Sequence, residues 1–300
     1  MSLIHPFFIL NITMQKQYTV LEILQLSSDY LEKKGIESPR VNAELLLADV
    51  LNCKRLDLYL KFDQPLKEFE INKYREFLGR RAVFEPYQYI IGKSEFYGRV
   101  FNVDKNILIP RPETELLVEE VINYGKSKSE LKILDIGTGS GNIPITIALE
   151  LPNSQLTSID ISSKAISAAI NNSSKYEIKD RISFLEIDVF SDKVFSFNQK
   201  FDVIISNPPY VSLNDYSTVQ KEILNFEPKE AVTDNGDGYK FYRRIAEISK
   251  KLLNENGVIF CEIAKDQSTV LNQLYLDFNY SSVNFKRDYQ NIDRILVVEL

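Results

Sequence analysis

The sequence predicts an α/β fold in which a seven-stranded sheet, parallel apart from an antiparallel last strand, follows a small helical domain and a β-hairpin linker. Three observations carry that prediction. Beyond residue 111, short apolar runs alternate with helix-length segments, as in a parallel sheet covered on both faces. The last two apolar runs are joined by only about five residues, too few for a crossover helix, so the final strand turns back antiparallel. The first 85 residues instead carry helical periodicity alone.

Residues 1–17 read as an N-terminal extension, with Met14 an alternative start. Their apolar run Phe7-Phe8-Ile9-Leu10 is far shorter than the roughly 20 residues a membrane span requires, and neither a basic segment nor a cleavage site flanks it. Residues 18–85 form the helical domain. Val20, Ile23, Leu24 and Leu31 share one helical face, and Gly35 supplies a stop. Ser38-Pro39 opens a second helix with a hydroxyl cap and a proline in first position. Val41, Leu45, Ala48 and Leu51 are its expected buried stripe. A third helix over 68–81 turns Ile71, Tyr74 and Leu78 inward, and Lys73, Arg75, Arg80 and Arg81 read as a solvated face or, alternatively, as a surface that meets a protein partner or RNA. Residues 86–110 are the hairpin linker, with Phe96, Tyr97 and Phe101 in its core. Residues 111–300 hold strands at 132–136, 155–159, 181–187, 201–206, 258–263, 282–286 and 292–299.

Composition narrows the chemistry. A chain of 300 residues with 44 % hydrophobic residues has ample apolar surface to bury. Its two cysteines, Cys53 and Cys261, cannot build a disulfide framework or a four-thiolate zinc site, and they fit a reducing cytoplasm. The single histidine, His5, leaves little room for histidine catalysis or a metal centre, so no metal is expected. Residues 1–110 carry 15 Lys+Arg against 14 Asp+Glu, and the remainder 21 against 28. That acidic remainder argues against a large nucleic-acid footprint, which needs a basic stripe.

Residues 133–141 read Ile-Leu-Asp-Ile-Gly-Thr-Gly-Ser-Gly, a strand running into three alternating glycines that open a helix. Glycine permits the sharp turn and leaves no Cβ between chain and ligand. A dinucleotide fingerprint wants a further glycine where Asn142 or Pro144 stands, and a P-loop wants Gly-Lys-Ser/Thr, which is missing. The pattern D-x-G-x-G-x-G resembles instead the first motif of S-adenosylmethionine (SAM)-dependent methyltransferases. Asp160 ends the next strand about 20 residues on, where a carboxylate can accept hydrogen bonds from both ribose hydroxyls. As an isolated residue it could equally cap a helix. Asp188 and Val189, after the third strand, fall where this class reads the adenine ring, although Asp188 could also be a plain turn carboxylate.

The fourth strand ends in Asn207-Pro208-Pro209-Tyr210. Parallel strands deliver ligands at their carboxyl ends, so this tetrapeptide should border the same cleft. Two prolines fix φ and remove two N–H donors, which leaves a stiff segment rich in acceptors. A planar nitrogen that attacks a methyl group must free its lone pair, and its hydrogens need acceptors that tolerate growing positive charge. The Asn207 side-chain oxygen and the Pro208 carbonyl can supply them, with the Tyr210 ring packed on the substrate's planar group. No general base is needed before attack, which suits a chain with one histidine.

With these motifs the sequence resembles the peptide chain release factor glutamine methyltransferases, the HemK family, over roughly residues 18–300. Pro110-Arg111-Pro112-Glu113-Thr114-Glu115 is similar to the family's proline-rich linker. Phe226-Glu227-Pro228, Asp237-Gly238, Tyr242-Arg243, Arg287-Asp288-Tyr289 and Arg294 follow its spacing. The resemblance implies a Rossmann-like class I methyltransferase sheet. It also implies methyl transfer from SAM to the side-chain amide of the Gly-Gly-Gln glutamine in class 1 release factors, by a cytoplasmic monomer whose helical domain docks the protein substrate. Gly137, Thr138, Gly139, Ser140 and Gly141 are then expected at the cofactor, with Asp160, Asp188, Val189 and Asn207. Asn207 and Pro208 would be catalytic, and Pro209, Tyr210, Arg111 and Glu113 would complete the substrate site. Arg111 and Glu113 could instead pin the linker to the sheet by an ion pair. Three departures stand out: Val189 where some members place an aromatic, Ala264 for a frequent glycine, and Asn291 for the glycine of the Arg-Asp-Tyr turn.

Other readings share these motifs. Ribosomal-protein glutamine methyltransferases carry the same tetrapeptide, and DNA and RNA methyltransferases acting on planar amino groups carry close variants. A non-enzymatic SAM-binding protein would keep the glycine loop but has no use for a stiff acceptor wall.

Overall fold

The computed structural model describes residues 17–300. His5, the Phe7–Leu10 run and Met14 lie outside the described residues. The chain divides into two compact units, the first ending at Gly92 and the second running from Lys93 to Leu300.

The first unit is built from α1 (Val20–Lys33), α2 (Pro39–Val50), α3 (Glu68–Arg81) and the short α4 (Tyr87–Ile91). Thr19 and Glu22 cap α1 reciprocally: Thr19 Oγ1 accepts from Glu22 N at 3.3 Å, and Glu22 Oε2 accepts from Thr19 N at 3.0 Å. Val20, Ile23, Leu24 and Leu31 are buried as the periodicity predicts. The second helix departs from its pattern. Ser38 adopts a left-handed conformation and its hydroxyl makes no cap; Asn42 Nδ2 instead donates to the carbonyls of Glu37 and Ser38. The buried face is Asn42, Ala43, Glu44, Leu46, Leu47 and Ala48; of the expected stripe Ala48 is buried, while Val41, Leu45 and Leu51 are only partly covered. Two polar residues sit inside because each is paired. Glu44 accepts from Arg40 Nε, Arg55 Nε and Tyr59 OH at 2.7–2.9 Å, and Asn42 Oδ1 accepts from Arg81 Nε at 2.7 Å. Arg81 is therefore buried, and Arg80 forks onto Glu85, so neither belongs to a solvated face. Residues 87–91, expected as the start of the hairpin, form α4, which ends at left-handed Gly92.

The second unit opens with the hairpin β1 (Lys93–Phe96) and β2 (Arg99–Asn102), then α5 (Thr114–Gly125). The alternation follows as β3 (Lys132–Ile136), α6 (Asn142–Glu150), β4 (Gln155–Asp160), α7 (Ser163–Lys175), β5 (Ile182–Glu186) and β6 (Phe201–Ser206). After α8 (Leu213–Tyr216), α9 (Lys221–Phe226) and α10 (Lys240–Leu252) come β7 (Leu253–Glu262), α11 (Ser268–Asp277), β8 (Ser282–Arg287) and β9 (Asp293–Glu299). The sheet order is β5-β4-β3-β6-β7-β9-β8, with β9 antiparallel to both neighbours. Alternate strand residues enter two cores, Ile133, Val203 and Phe260 on one face and Leu134, Ile204 and Ile259 on the other. Phe96 and Phe101 join the first core. Between β8 and β9, Asn291 takes φ +62°, the left-handed geometry its short polar side chain tolerates. Strand order reverses between β3 and β6, which opens a crevice at their carboxyl ends.

Candidate active site

The crevice is a cleft of about 590 Å³, within the range of small-molecule sites. At the end of β3 the chain bends over β4, with Gly137 N and Thr138 N both donating to Ile159 O at 2.8 and 3.2 Å. Gly137 and Gly139 have φ of +84° and +54° and line the cleft; a Cβ on either would meet no protein atom within 4 Å and would point into open space. Gly141 is different. It caps α6 at φ +80°, and a Cβ there would lie 2.9 Å from Ile145 Cδ1 and 3.1 Å from Ala169 Cβ. It lets α6 and α7 close on each other and does not line the cleft.

Buried hydroxyls brace the loop from below. Ser158 OH donates to Asp135 Oδ2, and Ser158 Oγ lies 2.7 Å from Thr138 Oγ1. Asp135 is wholly buried, and its Oδ1 has no partner among the described residues. Burial pushes its carboxyl up to about 7 against the pull of the Ser158 and Thr138 hydroxyls. Ser140 turns inward too, its hydroxyl on Asn142 Oδ1 and its carbonyl accepting from Asn172 Nδ2.

Asp160 closes the turn. Its Oδ2 accepts from Gly139 N at 3.0 Å and its Oδ1 from Ser162 N at 2.9 Å, so each oxygen keeps lone pairs for a ligand. Burial raises this carboxyl, while those two amides pull it down. Farther along, Asp188 Oδ1 accepts from Phe190 N, and Val189 is buried with its carbonyl taking Arg244 Nε–H. Phe190 and Phe241 stand edge to face 5.1 Å apart, and both line the cleft, as does the exposed Ile161. These three apolar side chains escaped the sequence reading. The aromatic wall missing at Val189 is supplied by the next residue and by a helix 50 residues on, and only the adjacency of Phe190 to Val189 hinted at it.

Asn207, Pro208 and Pro209 also line the cleft. Asn207 Nδ2 donates to Thr114 Oγ1 at 3.0 Å, and Thr114 OH donates to Glu262 Oε2 at 2.6 Å. Tyr210 OH donates to Glu262 Oε1 at 3.3 Å, and its ring packs beside the second core, away from the cleft lining. Burial pushes the Glu262 carboxyl up to about 7, with Thr114 and Tyr210 favouring its charge. Among the described residues, neither Asn207 Oδ1 nor the Pro208 carbonyl accepts a hydrogen bond.

At the rim, Arg111 lines the cleft and its Nη2 donates to Glu227 Oε1 at 2.5 Å, while Ile109 N donates to Glu227 Oε2 at 3.3 Å. The ion pair thus ties Arg111 to the segment after α9. Glu113 is the exposed N-cap of α5 and does not line the cleft.

Residues 22–92 match the family described as the PrmC N-terminal domain, and residues 127–296 match one described as a methyltransferase domain. A release factor glutamine methyltransferase of Fusobacterium nucleatum is 39 % identical over 282 residues, covering 93 % of this chain and 78 % of that protein. One from Chlorobaculum tepidum is 37 % identical over 289 residues, covering 93 % and 97 %. A bifunctional methyltransferase of Rickettsia bellii is 36 % identical over 310 residues; this chain spans 55 % of its length. The likeness runs through the helical unit as well as the sheet, well beyond the shared glycine loop, and the chain belongs to the release factor glutamine methyltransferases, SAM-dependent enzymes of the class I fold.

Proposed function

We propose that the protein methylates the side-chain amide nitrogen of the Gly-Gly-Gln glutamine in class 1 release factors. The observation that carries this reading is a pair of cleft-lining residues whose acceptors, Asn207 Oδ1 and the Pro208 carbonyl, take no hydrogen bond among the described residues. The residues fit SAM. Gly137 and Gly139 leave room for its methionine part, Asp160 has lone pairs for the ribose hydroxyls, and Ile161, Val189, Phe190 and Phe241 offer an apolar berth for the adenine beside Asp188. When bound, SAM supplies a strongly electrophilic methyl group.

The protein's part is to present the nitrogen. A glutamine amide is planar, and its lone pair is delocalised into the carbonyl. Asn207 Oδ1 and Pro208 O each accept one N–H, which turns the lone pair out of conjugation and toward the methyl carbon. As the nitrogen gains positive charge, both hydrogen bonds strengthen, so they favour the transition state over the ground state. Pro209 keeps the segment stiff, and Tyr210 supports it from behind through Glu262. Arg111 shapes the rim.

A lone glutamine in a glycine-rich loop offers little surface for specificity. We assign that task to the helical unit and regard the chain as a cytoplasmic monomer that takes a protein, not a nucleic acid, as substrate. Among the described residues no helix is long and apolar enough to cross a membrane. Incubation with methyl-labelled SAM and a purified release factor, followed by peptide mass spectrometry, tests the assignment. The expected product carries one methyl on the Gly-Gly-Gln glutamine. Label on a ribosomal protein, on DNA or on RNA in its place contradicts it.

A further inference from the structure

We propose that Thr114 and Glu262 are positioning residues that decide which end of the Asn207 amide faces the cleft. The inference rests on the role given to Asn207 above and adds what makes that role available.

A primary amide is nearly symmetric in shape, and its oxygen and NH₂ ends can exchange by a half-turn. Only one orientation presents Oδ1 as an acceptor; the other would aim an N–H at the substrate's own N–H groups. Nothing in Asn207 itself makes that choice. The choice is imposed by the polarity of the chain of hydrogen bonds behind it. Glu262 is buried, and in its ionised form it can only accept. Thr114 has one hydroxyl hydrogen, and at 2.6 Å from Glu262 Oε2 it gives that hydrogen to the carboxylate. Its lone pair then faces residue 207, and only the Nδ2 end can pair with it, as it does at 3.0 Å. Reversing the amide would set Oδ1 against Thr114 Oγ1. Either two oxygens would meet with no hydrogen between them, or Thr114 would withdraw its hydrogen and leave a buried carboxylate oxygen without a donor. Tyr210 OH, at 3.3 Å on the other oxygen, does not replace the lost contact.

This polarity belongs to the ionised form of Glu262, which is populated as pH rises through about 7. Burial pushes its carboxyl up to about 7, the Thr114 and Tyr210 hydroxyls favour ionisation, Glu113 opposes it and Arg294 favours it. The pieces come from α5, the end of β7 and the turn after β6, with Thr114 and Glu262 148 residues apart in the chain. A structural brace alone would require only shape. A polarity relay requires a donor hydrogen at position 114 and an acceptor at position 262.

The test uses Thr114→Val, which keeps shape and removes the relay, and Thr114→Ser, which keeps the relay and removes a methyl group. Turnover on a release factor at saturating substrates should fall by about 30-fold in Thr114→Val and by no more than about threefold in Thr114→Ser, with KM for both substrates nearly unchanged. The second readout needs no substrate. In the ¹⁵N-labelled protein alone, the Asn207 side-chain NH₂ resonances should show slowed hydrogen exchange in wild type and Thr114→Ser, and lose that protection in Thr114→Val. Equal losses in the two variants, wild-type turnover in Thr114→Val, or unchanged protection would each overturn the proposal. Should Thr114→Val not fold, Glu262→Leu, which removes the acceptor, is read by the same two measurements, with turnover expected to fall by at least about tenfold and protection to weaken. If the wild-type enzyme methylates no release factor, the substrate assignment falls while the NMR comparison still decides the relay.

Discussion

Arg111 and Glu227 stand 116 residues apart in sequence and 2.5 Å apart in space. The Glu227 side chain is 1 % exposed and also takes the Ile109 N–H, so the proline-rich segment before α5 is fastened to the segment after α9 at the rim of the cleft. Arg111→Ala would leave this carboxylate half-paired. Because the arginine side chain is 29 % exposed, the expected loss is on the order of 2 kcal/mol, below that of a fully buried pair. Chemical denaturation measures it. An unchanged midpoint would show that the rim is held by something else.

Asp160 already accepts one backbone N–H on each oxygen, and its remaining lone pairs are the expected ribose contacts. Asp160→Ala should weaken SAM binding by about 2 kcal/mol, or roughly 30-fold, in calorimetry. Unchanged affinity would remove Asp160 from the cofactor site.

The glycines of one motif should fail in different ways. Gly141→Ala drives a Cβ into Ile145 and Ala169 between α6 and α7, so stability should drop by about 2 kcal/mol or more. Gly139→Ala meets no protein atom within 4 Å but projects into the cleft at φ +54°. It should cost about 1 kcal/mol of stability and at least tenfold in SAM affinity. Thermal melts and calorimetry on both variants separate the outcomes; matching losses would contradict the division of roles.

Asp135 makes stability depend on pH in a defined direction. Its carboxyl is pushed up to about 7 in the folded chain by burial, from about 4 when unfolded. The folded state therefore binds the extra proton across that window, and the residue's contribution to stability, full below about pH 4, is lost as pH rises through about 7. Asp135→Asn carries no charge to desolvate and keeps an acceptor for Ser158. Its stability relative to wild type should rise by on the order of 4 kcal/mol between pH 4 and 7.5. A constant difference across denaturation curves at those pH values would contradict the shift.

Much of this architecture is legible in the sequence because its signals are local. Lys132–Ile136 and Phe201–Ser206 are contiguous apolar runs with motif residues at their ends, and α3 shows its bounds through spacing alone. Legibility fails where distant partners decide. Asn42 and Glu44 occupy the inner face of α2 because arginines from elsewhere satisfy them, so a hydrophobic-stripe reading picks Val41 and Leu45 instead. Arg81 looks solvated until Asn42 is set beside it. Gly141 repeats the spacing of Gly137 and Gly139, yet it faces a helix and not the cleft. Phe190 and Phe241 become a wall only once β5 and α10 are neighbours of one crevice.

In the proposed mechanism Asn207 Oδ1 accepts from the reacting amide, and its Nδ2 is held by Thr114. Asn207→Ala removes that acceptor while leaving Pro208, the glycine loop and Asp160 in place. Turnover should fall by about 100-fold or more, with SAM affinity changed much less. Asn207→Asp retains an acceptor and should keep more activity than the alanine variant. Time-resolved mass spectrometry of the Gly-Gly-Gln peptide from a release factor, treated in parallel with wild-type and Asn207→Ala enzyme, measures this directly. Rapid methylation by wild type with only a trace from the variant is the expected result; methylation of the glutamine at equal rates would contradict the account.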